Sequence, residues 1–231
     1  LSPADVAEVI TGIDERGVLG RADAVLSGYQ GAAEMGAQVL AAVELVKQRN
    51  PEAIYCCDPV IGDVGRGIYV RPGIPEFMSD EVVPKADVVT PNHFELDYLT
   101  GRRTTTLAEV LDAAAELRSH GPKLVLVTSA VLAGADADSV AMIAAADDGA
   151  WLVRTPLLER NFTGSGDLTA ALFLAHYLAD RDPGTALGAT ADAVYSLLRA
   201  TTEAGSSELL LAPAQSQLVD PDYHFTVEQV G

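Results

Sequence analysis

Short apolar runs alternate with longer stretches of helical period along most of the chain. Residues 3–16 place Val6, Val9, Ile10 and Ile13 on one stripe, which predicts an amphipathic helix with Ser2 as N-cap and Pro3 at its first position. Residues 23–28 (DAVLSG) read as a strand ending in a turn. Residues 32–49 read as a long helix with Met35, Val39, Leu40, Val43 and Val46 on one side. AIYCC (53–57) is a buried-strand run closed by Asp58 and Pro59. Glycines punctuate residues 61–73, with room for a short strand at 68–70, and a short helix follows near 74–82. ADVV (86–89) is the next strand, after which Thr90, Pro91 and Asn92 lead into a helix running through Leu99. Thr106 and Glu109 form a capping box for a helix ending at His120 and Gly121, and KLVLV (123–127) is another buried strand. Residues 139–145 and 151–155 flank Asp147, Asp148 and Gly149, a hairpin signal. Helices are expected over about 165–180, 184–204 and 207–218, with an edge strand at 225–230.

Strands alternating with helices predict an α/β fold, a largely parallel sheet covered on both faces, with a late antiparallel hairpin. No repeat, low-complexity tract or linker divides residues 1–231, so they are read as one domain. Ligands of such sheets bind beyond the carboxyl ends of the strands. Polar residues collect at those ends: Ser27, Gly28 and Tyr29; Asp58 and Asp63; Thr90, Asn92, His93 and Glu95; Thr128 and Ser129. This repeated placement favours an enzyme over a binding module.

Charge narrows the partners. Fifteen Lys and Arg against 33 Asp and Glu give a formal net charge of −18, a field that opposes nonspecific binding to nucleic acid or to anionic membranes. No apolar run reaches the roughly 18 residues of a membrane span, and no signal peptide is visible. The two cysteines, Cys56 and Cys57, are neighbours on one strand and so point to opposite faces, poorly placed to share a metal. Without a disulfide framework the chain suits a reducing, cytoplasmic setting.

The stretch Thr163-Gly164-Ser165-Gly166-Asp167 runs straight into a helical pattern. Glycines let the backbone approach a ligand, and the amides of a first helical turn suit an anion. Asp167 is an odd phosphate ligand but a reasonable base for an attacking hydroxyl. On these residues alone two readings stand: an anion site with its base, or a glycine turn with Asp167 as a helix-terminal charge. No P-loop, dinucleotide fingerprint, protein-kinase motif set or zinc spacing occurs. Asp58, Asp63 and Glu95, with Thr90 and Asn92 nearby, are oxygen ligands of the kind magnesium or potassium takes. Asn92 and Glu95 equally suit helix capping, and Asp58 a turn before Pro59. Together these parts offer alignment, charge neutralisation and acceptor activation, the needs of phosphoryl transfer. Tyr29, after a strand end and a glycine, suits stacking on a flat substrate or simple loop packing. The histidines read as structural or surface residues.

The segments DAVLSGYQG (23–31), CDPVIGD (57–63), VVPKADVVTPNHFELDYLTG (82–101), LVLVTS (124–129) and FTGSGDLTAALFLA (162–175) resemble the pyridoxal kinases of the ribokinase-like superfamily over essentially the whole chain. The resemblance implies a three-layer α/β/α fold and ATP-dependent phosphorylation of the 5′-hydroxymethyl group of pyridoxal, pyridoxine or pyridoxamine. Asp167 falls on the family's base, and Gly164, Ser165 and Gly166 on its anion hole. Asp58, Thr90, Asn92, Glu95, Thr128, Ser129 and Thr163 fall near the ATP phosphates and cations. Asp58, Asp63 and Glu95 match metal-associated positions for Mg²⁺, with K⁺ a candidate second cation. Thr155, Pro156, Leu157 and Leu158 align along the adenine, and Tyr29 lines the vitamer pocket. The resemblance also implies a homodimer. A hydroxymethylpyrimidine kinase is the nearest alternative, but many of those carry cysteine where this chain has Asp167. Sugar kinases share the glycine turn without this form of residues 58–63. An idle nucleotide-binding protein is the alternative from another class. Family members carry a first strand, a flap and further vitamer contacts before the position of Leu1. A protein of residues 1–231 alone is therefore expected to be poorly active or unstable.

Overall fold

A computed structural model describes residues 2–158, 160 and 162–231. Helix α1 (Pro3–Glu15) opens on a capping box, in which Ser2 Oγ accepts from the Asp5 N–H and the Asp5 carboxylate accepts from the Ser2 N–H. Strand β1 (Ala24–Ser27) feeds α2 (Ala33–Arg49), which returns the chain to β2 (Ile54–Cys57). A small hairpin of β3 (Gly62–Asp63) and β4 (Gly67–Ile68) precedes α3 (Ile74–Phe77). Then come β5 (Val88–Val89), α4 (His93–Thr100), α5 (Leu107–Ser119) and β6 (Leu124–Ala130). The hairpin of β7 (Ser139–Ala146) and β8 (Gly149–Pro156) leads to α6 (Ser165–Asp180), α7 (Pro183–Glu203) and β9 (Val227–Gln229).

The main sheet has seven strands in the order β1-β2-β5-β6-β7-β8-β9. The first four are parallel, while β7, β8 and β9 each pair antiparallel to their predecessor in the sheet. Two reversals make β8 parallel to β6, so the ends of β1, β2, β5, β6 and β8 share one rim.

The period-two alternation of the strands builds two cores. Tyr55, Cys57, Val125 and Val127 pack with α2, α3, α4 and α5, while Ile54, Cys56, Leu124 and Leu126 pack with α6 and α7. The three-layer α/β/α fold implied by the resemblance is the fold observed. Cys56 and Cys57 do point to opposite faces, both buried and free. Burial of each large apolar side chain contributes roughly 1.5–3 kcal/mol, so the two sandwiched layers hold the strand ends rigidly at the rim.

Three expectations are corrected. The stripe of α1 is not a buried face: Val9 and Ile13 are exposed, and α1 packs chiefly on α2. Residues 74–82 are not one helix, since α3 gives way to a π turn at Met78–Val82. The expected helix at 207–218 is a series of turns with a 3₁₀ segment, Gln215–Leu218. Pro213 cannot donate within a helix, and the Leu210 N–H is taken by Thr201 Oγ1 at 3.2 Å.

Candidate active site

The first wall of the site is α4. Asn92 and Glu95 make the reciprocal capping box that also suited a purely structural role. Glu95 does more than cap. Its Oε1 accepts from the N–H groups of Ile61 (2.8 Å) and Gly62 (3.3 Å), and its Oε2 accepts from Asn92 N–H (2.9 Å). Asn92 Nδ2 donates to the Gly62 carbonyl at 2.8 Å. One buried carboxylate thus joins the segment after β2 to the segment after β5. Burial pushes the Glu95 carboxyl up to about 7, against the lowering pull of those amides, and the Asp58 charge adds to the rise.

Asp58 is buried at the end of β2 and accepts from Thr90 Oγ1 at 3.2 Å. Burial pushes it up to about 7; the Thr90 hydrogen bond opposes this and the Asp167 charge reinforces it. Asp63 lies exposed on the β3–β4 hairpin, where its Oδ1 accepts from Val64 N–H at 2.7 Å. Tyr69, which sequence reasoning passed over, joins this group. Burial raises its phenol pKa, followed by the charges of Glu95, Asp63 and Asp58, and the Arg66 guanidinium stands 4.9 Å from its ring centre. Its signal was an aromatic residue within a glycine-punctuated loop.

The second wall is the start of α6. Gly164 is the N-cap with φ of 86°, a left-handed conformation that favours glycine, and no side chain caps this end. The Ser165 N–H donates to the Phe162 carbonyl at 3.3 Å. Among the described residues, no acceptor meets the N–H groups of Gly166 and Asp167. The Gly164 N–H likewise has no described acceptor, so the open end comprises the amides of Gly164, Gly166 and Asp167. A Cβ placed on Gly166 would stand 3.9 Å from Asp58 Oδ2, and one on Gly28 would stand 3.4 Å from Asp167 Oδ1. The ends of β1 and β2 thus meet the first turn of α6.

Beyond Gly28, exposed Tyr29 borders a cavity of about 490 Å³ with Gln30, Met35 and Arg71. On the other side, Thr128 and Ser129 sit in an irregular stretch of β6 between Val127 and Ala130, and Ser129 has φ of 52°. Thr155 and Pro156 end β8 on the same rim, followed by Leu157 and Leu158; Leu157 is exposed. Thr163 is exposed beside Gly164, against which Leu209 packs.

Among the described residues, no Lys or Arg pairs with Asp58, Glu95 or Asp167, and no three His, Cys, Asp or Glu residues form a ready metal cage. Asp58 and Glu95, both of raised pKa and without a described cationic partner, lie beside an open helix terminus and fit a site completed by cations that arrive with a phosphate ligand. Glu95 already spends both oxygens on amides, so Asp58 and Asp63 have the freer ligand atoms.

A three-layer α/β/α sheet with carboxylates, an open helix terminus and a candidate base on its carboxyl rim defines a ribokinase-like small-molecule kinase. The chain belongs to the family described as Phosphomethylpyrimidine kinase, which matches residues 13–211. It is 51% identical over 232 residues to a pyridoxal kinase of Rubrobacter xylanophilus, covering 100% of this chain and 80% of that protein. It is 47% identical over 231 residues to a pyridoxal kinase of Leifsonia xyli, covering 100% of this chain and 82% of that one. The solved pyridoxal kinase of Leishmania donovani in complex with ADP and pyridoxamine superposes with a TM-score of 0.89 at 26% identity, over 100% of this chain and 82% of that one.

Proposed function

We propose that residues 1–231 belong to one kinase domain, and that the protein transfers the γ-phosphoryl group of ATP to the 5′-hydroxymethyl group of pyridoxal, pyridoxine or pyridoxamine. The observation that carries this reading is the position of Asp167. It lies in the first turn of α6, beside unpartnered amides, and against Gly28, which leads directly to Tyr29 and its cavity.

Asp167 takes the proton as the acceptor hydroxyl oxygen attacks the γ-phosphorus. The bond from that phosphorus to the β,γ-bridging oxygen breaks and ADP leaves with the electron pair. The open amides at the start of α6, those of Gly164, Gly166 and Asp167, face the charge on the transferring group. Asp58, Thr90, Asn92, Thr128 and Ser129 border the phosphates, Thr163 borders the helix terminus, and residues 155–158 flank the base. Tyr29 stacks on the vitamer ring. Asp58 and Asp63 would hold Mg²⁺, Glu95 would act on it through charge, and K⁺ is the candidate second cation. When bound, these ions neutralise phosphate charge.

Asp167 also separates this reading from a hydroxymethylpyrimidine kinase, many of which carry cysteine there. An assay of ADP release with pyridoxal, pyridoxamine, hydroxymethylpyrimidine and ribose tests the choice, and preference for either of the last two overturns it. The resemblance supports homodimeric, cytoplasmic operation, which light scattering and cell fractionation check. Among the described residues no helix is long and apolar enough to cross a membrane.

A further inference from the structure

His93 is buried one residue into α4, between Asn92 and Glu95 in sequence, and touches neither carboxylate of the site through any described hydrogen bond. Its ring is instead fully engaged elsewhere. The Val131 N–H donates to His93 Nδ1 at 3.3 Å. On the other side, His93 Nε2 lies 2.8 Å from Thr104 Oγ1 and 3.1 Å from the Thr104 carbonyl. Thr104 Oγ1 donates onward to Asp97 Oδ1 at 2.7 Å.

A backbone N–H can only donate, so Nδ1 must be the acceptor and the ring proton sits on Nε2. The Thr104 hydroxyl gives its proton to Asp97 and accepts from Nε2. The chain of donors has one direction: Val131 to His93 to Thr104 to Asp97. The ring is therefore fixed in orientation.

The Val131 amide lies at the exit of the irregular stretch of β6. That stretch departs from the ladder between Val127 and Ala130 and carries Ser129 with φ of 52°, a conformation an L-residue keeps only when its surroundings enforce it. Its entry is held by the Thr128 N–H, which donates to the Pro91 carbonyl at 2.9 Å. Its exit is held by His93. Two bonds from residues 91 and 93 thus bracket Thr128 and Ser129 and tie them to the segment that bears Thr90, Asn92 and Glu95.

We propose that His93 is a positioning residue that sets the spacing between α4, the first wall of the site, and the bulge of β6 that carries Thr128 and Ser129. It does so by accepting from Val131 N–H. The inference rests on the kinase reading given above, since Thr128 and Ser129 face the nucleotide only in that reading.

Two substitutions separate this role from core packing. His93→Asn keeps an acceptor near the Nδ1 position but loses the Thr104 contact. His93→Gln reaches Thr104 but places no acceptor near Nδ1. The inference predicts that His93→Gln weakens ADP binding, measured by calorimetry without acceptor, by about three- to tenfold, the scale of one hydrogen bond. The KM for ATP rises in parallel and the KM for pyridoxal changes less than twofold. His93→Asn recovers at least half of the lost ADP affinity. Unchanged ADP affinity in His93→Gln, or equal weakening in both variants, overturns the inference. Nitrogen NMR of the unaltered protein tests it without any variant: the Nε2–H tautomer is expected, and an Nδ1–H tautomer overturns it. The unaltered protein's own ADP binding and pyridoxal turnover are the control. Loss of both there overturns the kinase reading, whereas their presence with indifferent variants overturns only the role of His93.

Discussion

Asp58 and Asp167 stand close enough across the start of α6 that the charge of Asp167 raises the pKa of Asp58. A site with no described cationic partner for either carboxylate is balanced only when protons or bound cations arrive, and stability should follow pH accordingly. Asp58 and Glu95 each rise from ordinary carboxylate values to about 7. The unfolded chain ionises them near pH 4, while the folded chain holds the protons until about pH 7. The folded state therefore binds more protons through this window, and stability falls as pH rises from about 4.5 to about 7.5. Thermal melts of the ligand-free protein should show a higher Tm at pH 5.5 than at pH 8, and added Mg²⁺ should raise Tm more at pH 8. A Tm that climbs between those pH values would contradict the raised carboxyl pKa values.

Glu95 serves three backbone amides, so its charge and its shape are both used. In Glu95→Gln one terminal atom becomes a donor and must face an N–H group. The expected loss is about 1–3 kcal/mol in urea unfolding, the scale of a buried unsatisfied polar group. The KM for ATP should also rise, because the segment that carries Asp63 is no longer clamped to α4.

Gly36, a buried residue of α2 next to Met35 of the cavity beside Tyr29, faces a different constraint. A Cβ there would stand 2.1 Å from Gln30 Oε1 and 2.3 Å from Phe77 Cε1. Gly36→Ala must displace both and should destabilise by about 1–3 kcal/mol, read from the shift in denaturation midpoint. Gln30 adjoins Tyr29, so the KM for pyridoxal should rise more than that for ATP.

Gly164→Ala tests the helix terminus. With φ of 86° at this N-cap, alanine is strained by roughly 1–2 kcal/mol. Relief of that strain by local rearrangement moves the amides of Gly166 and Asp167, so kcat should fall further than the loss of stability alone explains. Parallel measurements of Tm and kcat separate the two.

Much of this architecture is legible in the sequence. Alternating apolar residues in KLVLV assign Val125 and Val127 to one face and Leu124 and Leu126 to the other, because strand geometry leaves no other choice. Asn92 and Glu95 announced their capping box, which depends on residues three apart. Contacts between distant segments were not readable. Nothing local says that Glu95 reaches Ile61, that Tyr69 gathers near three carboxylates, or that Thr201 takes the Leu210 amide and keeps the tail from forming a helix. His93 read as merely structural because its partners lie at Thr104 and Val131, brought together only by the fold. Val9 and Ile13 followed a helical stripe, yet periodicity marks a face without saying that anything covers it.

The central claim is that Asp167 is the base of a vitamer kinase. Its most direct test is coupled ADP release with pyridoxal as acceptor, comparing the unaltered full-length protein with Asp167→Asn in the same full-length protein and measuring ADP affinity in both. The account predicts pyridoxal-dependent turnover that falls by about 10²–10⁴-fold in Asp167→Asn, with ADP affinity kept within a few fold. Full turnover in Asp167→Asn, or no pyridoxal-dependent ADP release by the unaltered protein, would contradict it.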